Sequence, residues 1–280
     1  YCVVPYTRGQ EISRPLDDVL YEIHTLAEQG VKEVTLLGQN VNGFEGATHD
    51  GGKCDFADLL YLVAEIDGIE RIRFTTSHPL HFDARQVAAY RDIPKLANYI
   101  HLPVQAGSDR ILGAMKRGYT SKQYIEKIAA LRAVRPDISI SSDFIVGFPT
   151  ETDEDFEATM NLIAEIKFDQ AFSFMYSPRP GTPAAMLVDN VPLAVKKHRL
   201  AIVQGRIAQM SSDYRQRLMG SVQTVLVERP SRKNSAEWMG RLPSNYIVNF
   251  AAIRDGVKAG SLVDVRLNEI FPSSMRGEMV

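Results

Sequence analysis

The sequence has little cysteine and no long apolar run. Only two of its 280 residues are cysteines, Cys2 and Cys54, which excludes a disulfide-stapled fold and favours a reducing, cytoplasmic setting. No run of about 18 apolar residues occurs, so the sequence predicts no membrane-spanning helix. Tyr1 stands in place of a starting methionine, and no signal-peptide pattern follows it. We therefore expect a chain that was processed or that begins partway through a longer protein.

The net charge of -2 conceals an uneven distribution. Residues 1–191 carry 18 Lys and Arg against 27 Asp and Glu, a net charge of -9, whereas residues 192–280 carry 14 against 7, a net charge of +7. Clustered Lys and Arg neutralise phosphates and release counterions, so the basic end is consistent with contact to a polyanion. Ordinary surface variation is the alternative interpretation.

Strand and helix patterns alternate through the first two-thirds of the chain. Pro15 suits the first turn of a helix and Gly30 suits its end. This repetition favours parallel strands, because parallel pairing needs a crossover connection. The predicted helices are 15–30, 56–66, 83–92, 108–117, 121–135 and 152–166, and the predicted strands are 33–37, 71–75, 99–104, 138–146 and 168–175.

Polar or turn-forming residues follow each of the five predicted strands. In barrels and in open α/β sheets, the ligand site lies at the carboxyl ends of the strands. We therefore expect a site where these ends meet, although a plain polar loop is the alternative for any single one. The segments are 38–40, 76–78, 103–105, 146–148 and 176–178.

The last third of the chain has a different pattern. Residues 192–217 are predicted to form one long helix with an apolar stripe and a basic excess, with Asp213 as its only acid. After Gly220, short alternating segments at 222–227, 246–250 and 262–267 indicate a small β barrel. We therefore place one domain at 1–217 and a second at 218–280.

Two loops carry residues suited to ligand contact. The run from Asp143 to Glu151 leads from a buried strand through Gly147, which allows close backbone approach, into a helix start with free N–H groups. Arg179 lies on a proline-rich loop, where it could pair with a carboxylate or a phosphate. Plain structural connections are the alternative for both loops.

Several segments together resemble the radical S-adenosylmethionine methylthiotransferases. The run from Cys2 to Pro15 resembles the end of that family's C-x3-C-x2-C cluster loop, and the segment from 218 resembles its RNA-binding TRAM barrel. The pattern is most similar to the tRNA-modifying branch of the family. The other matching stretches are 36–42, 71–79, 101–108, 143–151 and 177–183.

The resemblance implies an α/β fold, with a partial (β/α)6 barrel whose first strand is missing and a small TRAM-type β barrel after it. In the family, three cysteines hold a [4Fe–4S] cluster and S-adenosylmethionine binds its fourth iron. Reductive cleavage then gives a 5′-deoxyadenosyl radical, with electrons from a reductant such as flavodoxin or ferredoxin. A second [4Fe–4S] cluster, in a separate N-terminal domain, is linked to sulfur delivery.

The sequence departs from this pattern at the cluster. Cys2 matches only the third cysteine of the metal-binding triad, and we expect the other two upstream of Tyr1. Cys54 is interpreted as incidental, because it falls in the predicted loop before the second helix. One thiolate cannot hold a cluster that three or four normally fix. We therefore expect a parent protein that is an enzyme and a chain that is inactive by itself.

The resemblance also assigns expected contacts to individual residues. His78 and His101 lie near strand ends, where a structural role is favoured over proton transfer. In the family pattern, Gln39 and Asn40 lie near the methionine moiety of S-adenosylmethionine, and Gln105 and Ser108 lie near its ribose. The residues near the adenine are Val146, Gly147, Phe148 and Tyr176, and those near the carboxylate are Arg8, Arg14 and Arg179. The residues expected near RNA are Arg217, Arg232, Lys233 and Arg241.

The implied activity is methylthiolation of C2 of N6-isopentenyladenosine in tRNA. Reaching C2 requires a base that is splayed out of its stack, so the basic helix and the small barrel are expected to hold the anticodon stem-loop. Charge reversal at Arg232, Lys233 and Arg241 is therefore predicted to weaken tRNA binding. Two alternatives stay open, a ribosomal-protein aspartate methylthiotransferase and a non-catalytic RNA-binding fragment.

Overall fold

Eight α-helices and twelve β-strands, joined by loops that include three short 3₁₀ helices, make up the computed structural model, which describes residues 2–75, 77–232, 234–253 and 255–280. In chain order they are α1 (Val4–Arg8), α2 (Leu16–Glu28), β1 (Glu33–Leu36), β2 (Glu45–Ala47), β3 (Lys53–Asp55), α3 (Phe56–Ala64), β4 (Arg71–Phe74), α4 (Ala84–Asp92), β5 (Tyr99–His101), α5 (Asp109–Ala114), α6 (Ser121–Val134), β6 (Ser139–Val146), α7 (Asp153–Ile166), β7 (Gln170–Met175), α8 (Leu193–Leu218), β8 (Val222–Pro230), β9 (Glu237–Arg241), β10 (Ile247–Ala251), β11 (Leu262–Ile270) and β12 (Met275–Met279).

Five parallel strands form the first part of the molecule. Strand β1 pairs with β4, and β5, β6 and β7 form a second parallel sheet. A parallel bridge from Ile72 to Leu96 joins β4 to the segment before β5, where the Ala97 amide donates to the Ile72 carbonyl at 2.9 Å. The five strands therefore form one curved arc, which confirms the parallel pairing that the alternating pattern predicts and the partial barrel that the family resemblance implies.

The two faces of the arc differ in polarity. Successive strand residues point to opposite faces, and paired residues share a face. Ile72 and Phe144 are fully buried on the side where the helices pack. The other side, which we call the inner face, carries Glu33, Arg71 and Arg73 near one end of the strands and Asp143 farther along β6. Polar chemistry is therefore concentrated on the inner face.

Side-chain caps define where the longest barrel helices begin. Helix α6 begins with a capping box between Thr120 and Gln123, and α7 begins with one between Thr152 and Asp155. Each box satisfies backbone N–H groups that the first helical turn leaves unpaired. These caps explain why both helices begin within a residue of the predicted positions.

Proline shortens one predicted strand. The sequence predicts a strand over 99–104, but β5 ends at His101. The Leu102 amide still donates to the Ser141 carbonyl at 2.8 Å, whereas Pro103 has no N–H to continue the ladder. The chain nevertheless stays beside β6, because the Gln105 amide donates to the Asp143 carbonyl at 2.9 Å.

The prediction of a loop around Cys54 is wrong. This residue lies in β3, which pairs with β2 in a two-stranded hairpin, and it is 4% exposed. Burial, with Asp58 and Asp55 nearby, raises the pKa of its thiol. A buried and protonated thiol is a poor metal ligand. The segment from Cys2 to Pro15, predicted as a loop, also contains the short helix α1.

Strands β8 to β12 form a closed barrel in the order β10-β12-β11-β8-β9. Its core is built from alternate apolar residues such as Val225, Val248, Phe250 and Val265, which are 3% exposed or less. The alternating pattern predicts β8, β10 and β11, whereas β9 and β12 are short and were not predicted. The closed barrel itself confirms the expected small β domain.

Two buried arginines on the inner face hold the two barrels together. Arg71 and Arg73 share the Glu33 carboxylate at 3.4 and 2.9 Å. Their remaining N–H groups donate to backbone carbonyls of the C-terminal barrel, at 3.0 Å to Arg241 and at 2.6 Å to Leu242. Burial, with Arg73 close by, lowers the pKa of Arg71 to about 10. One end of the inner face is therefore covered by the turn that follows β9.

Candidate active-site face and nucleic-acid interface

The carboxyl ends of the five strands meet along one edge of the arc, as parallel strands require. The N-terminal segment crosses this edge. The side-chain nitrogen Nδ2 of Asn40 lies 2.8 Å from Nδ1 of His81, and it also donates to the Glu11 carboxylate at 3.4 Å. A side chain at Gly43 would place its Cβ 2.6 Å from that nitrogen. Asn40 thus connects the loop after α1 to the strand ends.

A groove of about 840 Å³ opens beside β1 at this edge. Arg8, Gln39 and Asn40 line it together with apolar side chains of α2 and β1. Arg14 also lies on its wall, where its guanidinium donates to Glu22 at 2.5 Å. The structure thus brings together four of the predicted contacts, two for the methionine moiety and two for the carboxylate. Arg179 lies on an exposed loop and does not line this groove.

Cys2 is an exposed free thiol that precedes α1. Its sulfur accepts a hydrogen bond from the Val4 amide at 3.4 Å. The described residues contain no group of three or more His, Cys, Asp or Glu side chains that could hold a metal ion. The described residues therefore offer one exposed thiol, which is not the full ligand set of a cubane cluster.

The turn after β6 is closed by a buried ion pair. The amides of Gly147 and Phe148 donate to Glu151 Oε2 at 2.7 and 3.2 Å. The Glu151 carboxylate also accepts from Arg199 on α8 at 2.8 Å. Burial raises the pKa of Glu151, and Arg199 opposes that shift. These two amides are thus already paired, so a ligand at this turn would find the Gly147 carbonyl rather than its N–H.

Backbone conformation and packing fix the same turn. Gly147 has φ +70°, and a Cβ there would lie 2.4 Å from Cγ of Lys196. The side chains of Val146 and Phe148 are buried in the core, and the Phe148 ring packs edge-on against Tyr176 at 5.1 Å. The two apolar side chains therefore support the turn from below instead of facing the strand-end edge.

Gln105 and Ser108 occupy different environments. Gln105 is buried and holds a left-handed φ of 77°, while its carbonyl accepts from Ile145. The Ser108 hydroxyl caps α5 and donates to Asp155 at 2.5 Å. Burial acts to raise the pKa of Asp155, but hydrogen bonds from Arg110 and Ser108 outweigh it and hold that pKa well below the usual range. The Ser108 hydroxyl is therefore committed to a charged partner.

Two buried hydroxyls at the strand ends have no hydrogen-bond partner in the described part of the chain. They belong to Ser77, after β4, and to Tyr176, after β7. Unpaired buried polar atoms are rare in folded proteins and are common where a ligand is expected. Lys196 lies over the Tyr176 ring, with Nζ 5.6 Å from its centroid. The strand-end edge thus offers unused polar groups to a ligand.

His78 and His101 differ in what surrounds them. Burial, with Arg117 and His81 nearby, lowers the pKa of His78 to about 4, so its ring is neutral at pH 7. Its Nδ1 accepts from the Leu80 amide at 3.2 Å, a structural role. His101 lies on the inner face, with Nε2 3.6 Å from the Asp143 carboxylate and Nδ1 3.0 Å from the Ser141 hydroxyl.

The paired His101 and Asp143 form a polar centre that sequence reasoning did not assemble. The parallel register places His101 opposite Ser141 and Asp143 opposite Phe172. The signal available in the sequence was the series Ser139, Ser141 and Asp143 at every second position of the strand, although Ser142 interrupts the alternation. A carboxylate beside an imidazole can orient the ring and accept or hold a proton at the inner face.

The four predicted RNA contacts lie in unlike environments. Arg232 is exposed, and Lys233 lies outside the described residues. Arg217 has a side chain that is 69% exposed and lies 3.6 Å from the buried carboxylate of Asp169. Arg241 instead donates to Glu228 at 2.8 Å and to the Asn245 carbonyl at 3.0 Å. Arg241 therefore stabilises the C-terminal barrel, and Arg217 pairs with Asp169 and lies over the Tyr214 ring, so Arg232 is the exposed cation of this set without an ion pair among the described residues.

Two family models match the chain, one in each of its two parts. The family model of the Radical SAM superfamily matches residues 1–163, and that of the TRAM domain matches residues 216–280. No helix in the described ranges is long and apolar enough to cross a membrane. The C-terminal match covers the residues that form the closed barrel.

Curated relatives match all 280 residues. The tRNA-2-methylthio-N(6)-dimethylallyladenosine synthases of Haemophilus influenzae (strain PittEE) and Psychromonas ingrahamii are each 58% identical to the chain. The match covers 100% of this chain and 59% of each relative, so the chain spans about three-fifths of their length. Among solved structures, Escherichia coli coproporphyrinogen III oxidase, described as a radical SAM enzyme, aligns with a TM-score of 0.48 and 16% identity over 82% of this chain and 59% of that one.

Proposed function

The chain belongs to the Radical SAM superfamily, and from this premise we propose that it is the barrel and RNA-binding part of a tRNA methylthiotransferase. The proposed reaction adds a methylthio group to C2 of an N6-isopentenyladenosine in tRNA. One observation carries the proposal, the 58% identity over all 280 residues to synthases named for the methylthio derivative of that nucleoside. The ribosomal-protein alternative has no comparable support among these relatives.

S-adenosylmethionine fits the strand-end edge by its chemistry. Its carboxylate would pair with Arg8, and its amine would be held by the side-chain oxygens of Gln39 and Asn40, all of which line one groove. The unpartnered Ser77 and Tyr176 hydroxyls would bind the polar ribose or adenine atoms. When bound and reductively cleaved, this cofactor supplies the radical that abstracts hydrogen. We assign to these side chains only the binding and orientation of the cofactor.

The described residues contain only part of the ligand set that the superfamily's [4Fe–4S] cluster requires. Cys2 is the single exposed thiol there, and no set of three candidate metal ligands surrounds it. Cys2 would serve as one ligand, and the remaining thiolates would have to come from elsewhere in the full-length protein. No catalytic step is therefore derived from these residues through a cluster.

The C-terminal barrel and α8 are proposed to bind the tRNA. This part carries the net charge of +7, and it includes the exposed Arg232 and the largely exposed Arg217. Guanidinium groups suit phosphate contacts, which fix position and contribute salt-dependent affinity. The splayed adenosine would then reach the inner face, where His101 Nε2 lies 3.6 Å from the Asp143 carboxylate.

The test uses the full-length protein encoded by the reading frame that contains this chain. After anaerobic iron–sulfur reconstitution it is incubated with S-adenosylmethionine, a sulfide source and a reductant, with either isopentenylated tRNA or ribosomal protein as the substrate. Mass spectrometry of digested RNA and protein is expected to show the methylthio group on adenosine only. Modification of a protein aspartate, or of neither substrate, would overturn the proposal.

A further inference from the structure

Two phenylalanines on an edge strand remain open to solvent. Phe172 and Phe174 on β7 are 57% and 54% exposed, although most aromatic side chains of the barrel are buried. They lie two residues apart and therefore on one face of the strand. The register places them opposite Asp143 and Ile145, so their rings continue the inner face outward to its edge. Large exposed apolar side chains grouped in this way mark interaction sites.

The two rings line a groove between β7, α8 and the C-terminal barrel. Its volume is about 640 Å³, within the range of sites that bind small organic groups. The wall formed by α8 carries the small side chain of Ala208. Tyr246 and Asn245 of the C-terminal barrel line the opposite side, and the Tyr246 hydroxyl lies 3.1 Å from the Ser211 hydroxyl of α8. The groove therefore offers a flat group the two phenylalanine rings together with Ala208.

One end of the groove is basic. Arg215 is held in place by hydrogen bonds from Nη1 to the carbonyls of Phe271 at 2.5 Å and Pro272 at 3.1 Å, and from Nε to Ser211. Its second terminal nitrogen, Nη2, has no hydrogen-bond partner among residues 2–75, 77–232, 234–253 and 255–280. Arg241 lies on the same groove, with its charge already paired to Glu228. A fixed guanidinium with a free N–H is suited to a phosphate.

We propose that this groove binds one unstacked nucleotide of a single-stranded RNA segment, with its base on Phe172 and Phe174 and its phosphate at Arg215. The inference rests on the proposed function, because it takes the RNA substrate as given. Aromatic faces for bases beside a basic track are the usual means of binding single-stranded nucleic acid. An apolar peptide would leave the guanidinium unmatched, whereas a nucleotide satisfies both features of the groove.

The groove is continuous with the polar centre of the inner face. The Phe172 ring meets the His101 ring edge-on at 6.3 Å, and His101 pairs with Asp143. A nucleotide that stacks on Phe174 would therefore be adjacent, along the RNA chain, to the nucleotide that reaches the inner face. Stacking at this point would hold the loop open and so favour delivery of the adjacent base.

The experiment uses the 280-residue chain and synthetic RNA stem-loops that carry 2-aminopurine at one loop position at a time. Stacking on an aromatic ring quenches this fluorophore, so we expect quenching on binding at one loop position. The variant Phe172→Leu/Phe174→Leu is expected to remove the quenching and to bind the stem-loop roughly five- to a hundredfold more weakly. Tyr21→Leu, at a side chain that is 75% exposed on α2, is the matched control and should change neither signal.

A second pair of variants tests the groove without removing an aromatic ring. Ala208→Leu fills the space above the phenylalanines and should also abolish the quenching, whereas Ala201→Leu adds the same bulk to an exposed position of α8 outside the groove. Both substitutions keep good helix formers, so folding is preserved. Circular dichroism checks the helix content of each variant.

Each result bears on a different claim. If the unmodified chain binds the stem-loop and its quenching survives both Phe172→Leu/Phe174→Leu and Ala208→Leu, the groove inference is overturned and the proposed function is untouched. If the unmodified chain binds no stem-loop RNA at all, the groove inference and the RNA-binding part of the proposed function are both overturned. Equal losses in Ala201→Leu and Ala208→Leu would also contradict the groove.

Discussion

The buried pair between Arg199 and Glu151 should dominate the stability of the turn after β6. Their side chains are 6% and 5% exposed, and the second Arg199 contact is to Asp153, whose side chain is 94% exposed. The exposed contact contributes little, because water screens it. Removing one partner of a buried pair leaves the other charge uncompensated, which costs about 3–5 kcal/mol. We therefore expect Arg199→Met to lower the free energy of unfolding of the barrel by that amount.

A double variant separates the pair from the packing around it. Gln at position 151 can still accept hydrogen bonds from the Gly147 and Phe148 amides while carrying no charge. We expect Arg199→Met/Glu151→Gln to be clearly more stable than Arg199→Met alone, because the uncompensated charge has been removed. Arg206→Met, at an exposed position of the same helix, is the matched control and should change stability by less than about 0.5 kcal/mol.

Urea unfolding followed by two signals provides the assay. Far-UV circular dichroism reports mainly on the helices around the first barrel, whereas the single tryptophan, Trp238, lies on β9 of the second. Arg199→Met should shift the dichroism transition to lower urea and move the fluorescence transition less. A loss below about 1 kcal/mol, or a double variant no more stable than the single one, would refute the reasoning.

The same variant has a predictable response to pH. The pKa of Glu151 is raised in the folded protein, mainly by burial, and Arg199 restrains the shift. Without Arg199 that pKa should rise further, so the folded state binds a proton more tightly than the unfolded state. The penalty of Arg199→Met should therefore be absent below the ordinary carboxyl pKa of 4.5 and should grow as pH rises through the folded value.

Three further outcomes follow from individual positions. Gly147→Ala should lower the melting temperature, since the left-handed backbone alone costs an alanine about 1–2 kcal/mol. Burial raises the pKa of Asp169 from 3.8 to about 6, so unfolding titrations should show stability falling as pH rises between those values, and Asp169→Asn should flatten that trend. Arg241→Glu should destabilise the barrel that Trp238 reports on, whereas Arg232→Glu should leave its melting unchanged and weaken RNA binding in filter assays.

Periodicity and turn residues were sufficient for most of the fold. Capping residues such as Thr120 and Thr152 bond to residues close by in the sequence, so the helix starts can be predicted from short sequence patterns. The hairpin of β2 and β3 is held by pairing between short segments that contain little alternation, so Cys54 was wrongly placed in a loop. Strand β12 also escaped prediction, because Gly277 and charged residues break its pattern and only the closed barrel makes it pair.

The site was predictable only in part, for a geometric reason. The strand-end rule identifies which segments meet, and it places Gln39 and Asn40 at the edge where the carboxyl ends of the strands lie. It does not say which polar groups already have partners. The Gly147 amide is taken by Glu151 and the Ser108 hydroxyl by Asp155, and both partners are set by side-chain directions that a sequence pattern does not contain.

Arg71 and Arg73 donate hydrogen bonds to main-chain carbonyls of the second barrel. Every hydrogen bond that they send across the junction ends on a main-chain oxygen, at Thr224, Arg241, Leu242 and Pro243. Hydrogen bonds to main-chain oxygens do not depend on most side chains of the turn after β9, provided that the backbone of the turn keeps its conformation. Over evolutionary time the C-terminal barrel could therefore exchange surface residues while its attachment to the first barrel stays the same.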